Sequence, residues 1–368
     1  MRAAHPFWDE VFSVNDLHSH LKSHAELPQN GSPILVEIWR GGMVESRHRA
    51  IAAVVDSDGH VVKAWGDIET PIYGRSSIKP LLAIPLVESG AADKFGLTER
   101  EIALACASHS GEPGHVSAVN AWLAKIGLSA DDLECGPQYP SYEPALHDMV
   151  RNGVTPTRSH NNCSGKHTGF LSTAVHLGEK TKGYIQYEHS VQQRLLGILE
   201  QMCGQDLSHV PRGIDGCGIP TIAIPVGYHA LAMAKMADPK DLSPTRAAAC
   251  ARILTAMSHE PWYVAGTGRF CTDVMKVTGT KAAIKTGAEG VYMGSLPELG
   301  LGLCIKVEDG NSRGAEVVMG QLLRHFGIID ATQAEQLQQS LQPTLRNWAG
   351  TVVGSVKPAP MLNETAPF

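Results

Sequence analysis

The sequence predicts an α+β fold in which an antiparallel sheet joins both ends of the chain around an inserted helical cluster. Near the amino end, β-rich runs at 51–55 and 61–65 flank Asp-Ser-Asp-Gly, a turn sequence typical of an antiparallel hairpin. Helical patterns fill the middle of the chain, and β-rich runs return at 282–287 and 301–307. Strands at both ends with helices between them favour one shared sheet.

The 368 residues divide into an N-terminal extension over residues 1–32 and a single catalytic domain over residues 33–368. We expect the sheet part of that domain at about 33–75 and 280–356, and the helical part at about 76–279. The extension contains four histidines. We interpret it as a lid or an oligomer contact rather than a metal site, because polar terminal segments often carry such residues.

Composition excludes several classes of protein. A net charge of −6 and a pI near 6.3 give no reason to expect nucleic acid or an anionic membrane as a partner. The first residues contain no apolar run of signal-peptide length, so we expect a cytoplasmic protein whose eight cysteines are mostly reduced. No Cys-x-x-Cys pair occurs, which excludes zinc-ribbon and thioredoxin-like sites.

Three short motifs predict acyl-transfer chemistry. Ser76 and Lys79 are three residues apart at a predicted helix start, where the two side chains share one face. A serine hydroxyl needs a neighbouring base to become a nucleophile, and a buried lysine with a lowered pKa is such a base. Ser108 and then Lys285, in Lys-Thr-Gly, follow in the order seen in class A β-lactamases and penicillin-binding proteins. We expect Ser76 to attack, Lys79 to take its proton, and Ser108 with Lys285 to relay a proton to the leaving nitrogen. The alternative in which Ser108 is the nucleophile remains open.

Five segments carry a more definite resemblance, although the middle motif lacks the asparagine of β-lactamases. The segments are Arg40-Gly41-Gly42-Met43-Val44-Glu45-Ser46, Arg75-Ser76-Ser77-Ile78-Lys79-Pro80, Cys106-Ala107-Ser108-His109-Ser110, Asn162-Cys163-Ser164-Gly165-Lys166-His167 and Asp215-Gly216-Cys217-Gly218-Ile219-Pro220. Together they resemble the Rhizobium etli-type L-asparaginases of the asparaginase II family, over about residues 34–356. The resemblance implies a fold like that of serine β-lactamases and glutaminases, hydrolysis of L-asparagine to L-aspartate and ammonia, two serine–lysine pairs, and a homodimer.

The same resemblance implies a zinc ion held by Cys163, Lys166 and Cys217. Two thiolates, one further ligand and a water would make an open tetrahedral site. Lysine must lose its proton before it coordinates, so such a site should bind zinc best above neutral pH. The competing interpretation of each cysteine is a small buried apolar residue. The sequence leaves open whether the ion orients the substrate or activates water.

Three residues are candidates for binding the substrate's α-substituents. Arg75 suits a carboxylate, because a guanidinium and a carboxylate match in a bidentate pair. Asp215 would bind the α-ammonium, with His167 as a hydrogen-bond partner. A surface ion pair and an ordinary Asp-Gly turn are the structural alternatives. Arg269 and Asp273 lie in a similar glycine-containing loop and receive no role.

Two other functions remain as hypotheses beside L-asparagine hydrolysis. The first is a β-lactamase or peptidase-like acyl-serine hydrolase, which a fluorescent penicillin would label on Ser76. The second is a non-catalytic protein that binds zinc or an amino acid and releases no ammonia. Preference for asparagine over glutamine rests on the resemblance alone, because one methylene contributes little discrimination.

Overall fold

Residues 22–23 and 31–363 are described by the computed structural model of the protein. The prediction of a lid or oligomer contact at residues 1–32, including its four histidines, therefore lies almost wholly outside the described residues. Within the described ranges, none of the helices combines the length and the apolar character that crossing a membrane requires.

Both ends of the chain contribute to one curled sheet, as the sequence predicts. In chain order, the strands are β1 (Lys22–Ser23), β2 (Ile34–Arg40), β3 (Met43–Asp56), β4 (His60–Trp65), β5 (Pro71–Tyr73), β6 (Arg212–Ile214), β7 (Pro220–Pro225), β8 (Ala283–Thr286), β9 (Val291–Leu296), β10 (Leu301–Val307), β11 (Thr344–Arg346) and β12 (Val352–Pro358). The main sheet has the order β11-β12-β2-β3-β10-β9-β8, and β4 pairs with β3. Each of these pairs is antiparallel, and β12 from the carboxyl end pairs with β2. The predicted α+β fold is confirmed.

The helices lie mostly in the middle of the chain, between β5 and β8. They are α1 (Lys79–Leu82), α2 (Ile84–Glu88), α3 (Ala91–Lys94), α4 (Glu99–Ala105), α5 (Pro113–Lys125), α6 (Glu143–Arg151), α7 (Ser164–His176), α8 (Ser190–Cys203), α9 (Val226–Ala237), α10 (Pro244–His259), α11 (Pro261–Val264), α12 (Phe270–Thr278), α13 (Ser312–His325), α14 (Ala331–Gln336), α15 (Gln338–Leu341) and α16 (Pro360–Asn363). A capping box formed by Thr98 and Glu101 opens α4.

The chain around Ser76 is more broken than the single helix that the sequence predicts. A 3-10 helix covers Arg75–Ile78, and the short helices α1 and α2 follow it. Pro80 and Pro85 each occupy the first turn of a helix, where a missing N–H has no consequence. Proline therefore divides the segment into separate turns instead of merely kinking it.

The edge strand β8 meets the 3-10 helix that contains Ser76. A Cβ atom on Gly287, just beyond β8, would lie 3.1 Å from the Gly74 carbonyl oxygen and 3.2 Å from the Ser77 nitrogen. Only a residue without a side chain allows this close approach of the two backbones. The contact places the end of the sheet, with Lys285, beside the start of the helical cluster.

Helices α4 and α7 cross at an equally close contact, and this gives a first prediction. A Cβ atom on Gly165 would lie 2.2 Å from the Leu104 carbonyl oxygen, whereas one on Gly169 would meet nothing nearer than 3.5 Å. We expect Gly165→Ala to lower the free energy of unfolding by about 2–3 kcal/mol, because the helices must separate. Gly169→Ala, one turn along the same helix, is the matched control and should be neutral or slightly stabilising. Denaturant unfolding measures both, and equal stabilities would contradict the close contact.

Candidate active site

The hydroxyl of Ser108 lies between the side chains of two buried lysines. Its Oγ is 2.9 Å from Lys79 Nζ and 2.9 Å from Lys285 Nζ. The Lys79 amine also donates to the Ala107 carbonyl, and the Lys285 amine donates to the Thr286 carbonyl at 2.7 Å. Lys79 is 1% exposed and Lys285 is 0% exposed. The structure thus brings together three of the four residues that the motifs predict.

The position of Ser108 depends on the loop that follows α4. Its backbone N–H donates to the Val264 carbonyl at 3.0 Å, so the end of α11 holds the serine in place. Across the site, Lys79 is the first residue of α1 and Lys285 lies in β8. Residues far apart in the chain therefore converge because the sheet edge and the helical cluster meet here.

Both lysines have pKa values below the ordinary value for an amine. Burial, and then the charge of Lys79, lowers the pKa of Lys285 to about 7. Burial is also the largest cause that lowers the pKa of Lys79, and the nearby Lys166 charge adds to it, while Cys163 opposes the change. A neutral amine that donates its two N–H groups keeps one lone pair for a proton. Each lysine can therefore act as a base.

Ser76 lies beside this cluster but forms no hydrogen bond with Lys79 through its hydroxyl. The contact between the two residues runs through the backbone, where the Lys79 N–H donates to the Ser76 carbonyl. Within residues 31–363, no hydrogen bond involves the Ser76 hydroxyl, and the residue is half-buried. The Lys79 amine instead uses its hydrogen bonds on Ser108 and the Ala107 carbonyl. Ser76 thus offers the accessible hydroxyl, and Ser108 offers the enclosed one.

The predicted metal ligands converge into a second cluster. The sulfur atoms of Cys163 and Cys217 and a carboxylate oxygen of Asp215 all lie within 4.8 Å of one another. Lys166 Nζ is 2.9 Å from Cys217 Sγ. Cys163 precedes α7, which contains Lys166, while the two other residues lie in a tight turn between β6 and β7. Two thiolates, an amine and a carboxylate form a donor set that suits zinc.

The charges within this cluster explain its pKa values. A hydrogen bond with Cys217 is the largest cause that holds the pKa of Cys163 well below its usual value, with support from Lys166. The same hydrogen bond and burial raise the pKa of Cys217. Burial disfavours the Lys166 cation, but the Cys163 and Cys217 sulfurs outweigh it and raise the pKa of that amine. The cluster therefore already favours a thiolate, which is the form that binds a metal.

Arg75 and Asp215, both predicted to bind substrate, form an ion pair. Arg75 Nε lies 2.6 Å from Asp215 Oδ1, and the two side chains are 25% and 10% exposed. The backbone of Arg75 has a φ of 49°, in the left-handed region that few residues other than glycine adopt. Such strain is concentrated at functional sites, where surrounding contacts enforce it. The ion pair with Arg75 places Asp215 between the guanidinium and the cluster of predicted metal ligands.

His167 is buried, and its hydrogen bond goes to Tyr184 rather than to Asp215. The Glu134 N–H donates to the Tyr184 oxygen at 2.8 Å, so the phenol donates its own proton to His167 Nδ1, also at 2.8 Å. The proton of His167 is then on Nε2, which is buried without a partner in the described structure. Burial, and then Lys166, holds the pKa of His167 well below its usual value. The neutral ring therefore has a donor available for a ligand.

His109 links the two clusters, although the sequence predicts no role for it. The Gly111 N–H donates to His109 Nδ1 at 3.1 Å, so His109 Nε2 carries the proton and donates to Ser164 Oγ at 2.8 Å. Ser164 begins α7, directly after Cys163. The position of His109 next to the predicted Ser108 was a sign of function in the sequence, but its partner Ser164 is 55 residues away.

Comparison with known proteins finds similar solved structures and a matching protein family. Similar solved structures include a β-lactamase from Mycobacterium bovis, with 17% identity, coverage of 78% of this chain and 94% of that chain, and a TM-score of 0.37. A putative β-lactamase from Bacteroides dorei has 16% identity, coverage of 70% and 84%, and a TM-score of 0.38. No curated protein matches the chain. Among protein families, L-asparaginase II matches residues 36–358.

Proposed function

Because the chain belongs to the L-asparaginase II family, we propose that it hydrolyses L-asparagine to L-aspartate and ammonia, as the Rhizobium etli-type enzymes that it resembles do. One observation supports this proposal above the others. The Ser108 hydroxyl is held 2.9 Å from each of two buried amines, next to the accessible hydroxyl of Ser76. Acyl transfer from an amide needs this combination of a nucleophile, a base and a proton relay.

In the first half of the reaction, Ser76 Oγ attacks the side-chain amide carbon of asparagine. Lys79 takes the hydroxyl proton on the lone pair that its two donated hydrogen bonds leave unused. Ser108 then relays a proton from the lysine pair to the amide nitrogen, the C–N bond breaks and ammonia departs. The enzyme is left as an ester between Ser76 and the side-chain acyl group of aspartate.

In the second half, water attacks the ester and restores the enzyme. Lys79 or Lys285, now neutral again, removes a proton from the water, and the C–O bond to Ser76 breaks. The Ser76 oxygen regains a proton, and L-aspartate leaves with its new carboxylate. The separation of an enclosed relay serine from an accessible attacking serine underlies this assignment.

Arg75 and Asp215 are the proposed contacts of the substrate's α-substituents. The guanidinium uses only Nε toward Asp215, so its terminal N–H groups can bind the α-carboxylate. Asp215 would bind the α-ammonium, and the neutral His167 would donate its Nε2–H to an oxygen atom of the substrate. Together these groups would bind both charged groups of a free amino acid.

We also propose a zinc ion bound by Cys163, Lys166 and Cys217, whose donor atoms the fold brings together. Zinc would supply a fixed positive charge next to the substrate-binding residues. We further propose that the protein is a cytoplasmic homodimer with a single catalytic domain at 33–368. The family resemblance is the support for this proposal.

The test of the proposed function is ammonia release from L-asparagine by the full chain at slightly alkaline pH. L-Glutamine is the control substrate, and a fluorescent penicillin tests the alternative of a β-lactamase or peptidase-like enzyme. We expect ammonia from asparagine and no covalent label. Labelling of Ser76 without ammonia release would support the alternative. Binding of asparagine without turnover, after zinc is added, would support the non-catalytic alternative.

Burial of Lys285 should make the protein less stable at neutral pH than at alkaline pH. The pKa of about 7 in the folded protein lies below the ordinary 10.5, so the unfolded chain binds more protons between these values. Wild-type stability therefore rises with pH across this window. We expect Lys285→Met to be inactive yet more stable than wild type near pH 7, with the difference shrinking toward pH 10. Thermal unfolding across this range measures it, and the exposed Lys182→Met is the control.

A further inference from the structure

A cavity of about 610 Å³ lies between α12, α13 and α15, among residues that have no role in the proposed reaction. We call it the α12 pocket and define it by Arg269, Phe270, Asp273, Glu316, Leu337 and Pro343. Its volume lies in the range of small-molecule sites, about 300–1,000 Å³. The residues come from the start of α12, from α13, from the junction of α14 and α15 and from the segment after α15, so the fold itself creates this concave surface.

The charges around the α12 pocket are not paired with one another. Arg269 precedes α12, Asp273 and Lys276 lie within it, and Glu316 faces the same cavity from α13. In the part of the chain that the structure describes, none of these four side chains forms an ion pair or a hydrogen bond. Their separation leaves two cations and two acids around the cavity available to a ligand.

The environment of Glu316 supports this interpretation. The residue is half-buried, and burial raises the pKa of its carboxyl to about 6 although Arg269 opposes the change. Burial likewise raises the pKa of Asp273, although the Lys276 charge opposes the change. A partly desolvated acid that forms no ion pair is stabilised when a ligand brings a positive charge. The floor of the cavity is apolar, since Phe270 and Leu337 are buried.

We propose that the α12 pocket binds an α-amino acid with an apolar side chain as a zwitterion. The carboxylate would pair with Arg269, whose guanidinium offers two parallel N–H groups. The ammonium would pair with Glu316 and Asp273, and the side chain would lie against Phe270 and Leu337. An amino acid thus satisfies both signs of charge and the apolar floor at once. The residues of this pocket differ from those of the proposed asparagine site, which uses Arg75 and Asp215.

Calorimetric titration of the full chain with L-leucine tests this proposal without any turnover. Two analogues keep the leucine skeleton, since 4-methylpentanoate lacks the ammonium and 3-methylbutylamine lacks the carboxylate. We expect L-leucine to bind at millimolar concentration or below, and each analogue to bind at least about tenfold more weakly. Because heat is measured rather than ammonia, failure of the asparaginase proposal would leave this result unaffected.

Variants locate the bound amino acid. Arg269→Gln and Glu316→Gln should each weaken L-leucine binding about tenfold or more, whereas Arg269→Lys keeps the charge but not the bidentate pair and should lose less binding than Arg269→Gln. Unchanged circular dichroism verifies that each variant is folded. Arg75→Gln, in the proposed asparagine site, should bind L-leucine like wild type. The proposal is overturned if wild type does not bind, if the pocket variants bind equally well, or if only Arg75→Gln loses binding.

Discussion

Ser76→Ala is expected to lower the rate of ammonia release from L-asparagine by about a thousandfold or more. Without its hydroxyl the protein has no accessible group to form the acyl-enzyme, and removal of a serine nucleophile has effects of this size or larger. Lys79, Ser108 and Lys285 would remain in contact, because no hydrogen bond in residues 31–363 links the Ser76 side chain to them. The fold should therefore be unchanged, which thermal unfolding verifies.

Ser108→Ala distinguishes the role of the attacking serine from the role of the serine that relays a proton. We expect it to slow the reaction by about a hundredfold or more, because the path between the lysines is broken while the nucleophile persists. Single-turnover experiments should still show slow acylation. Ser258→Ala removes a buried hydroxyl that bonds only within α10, so it is the matched control and should keep full activity. Near-normal activity of Ser76→Ala, with complete loss in Ser108→Ala, would falsify the assignment and make Ser108 the nucleophile.

The second large effect concerns metal content. We expect the purified full chain to retain about one zinc ion per chain, and Cys163→Ala and Cys217→Ala to retain less than about a tenth of that. The reason is that each sulfur contributes one of few ligands in a cluster whose donor atoms lie within 4.8 Å. Elemental analysis after dialysis measures the content. Cys250→Ala, a buried cysteine of α10, is the control for loss of a thiol alone.

The amine ligand adds a pH dependence to the zinc site. Lys166 must lose its proton to coordinate, and so must Cys217, whose pKa is raised. Zinc should therefore bind more tightly as pH rises, by about tenfold per unit for each released proton. Competition with a chromophoric chelator at pH 7 and pH 8 measures this change. Lys166→Met should bind more weakly, with a shallower pH dependence. Full zinc content in both cysteine variants would show that the ion, if bound, lies elsewhere.

The sequence determined the α+β fold and much of its order. β-rich runs and the Asp-Ser-Asp-Gly turn predicted the hairpin of β3 and β4, and the later β-rich runs predicted β8 and β10. These signals are local, because strand propensity and turn residues act within a few positions of the chain. The helix through Ser76 was predicted as one element, and two prolines made it several.

The tertiary structure decided which groups touch. Spacing within Ser-x-x-Lys predicted that Lys79 would reach Ser76, yet the structure turns the amine to Ser108. Asp215 was predicted at the substrate and lies between Arg75 and Cys217. The partners of His109 and His167 were also beyond prediction, because each contact crosses between separate elements. Side-chain direction depends on backbone turns and packing between distant segments, which residue spacing along the chain does not contain.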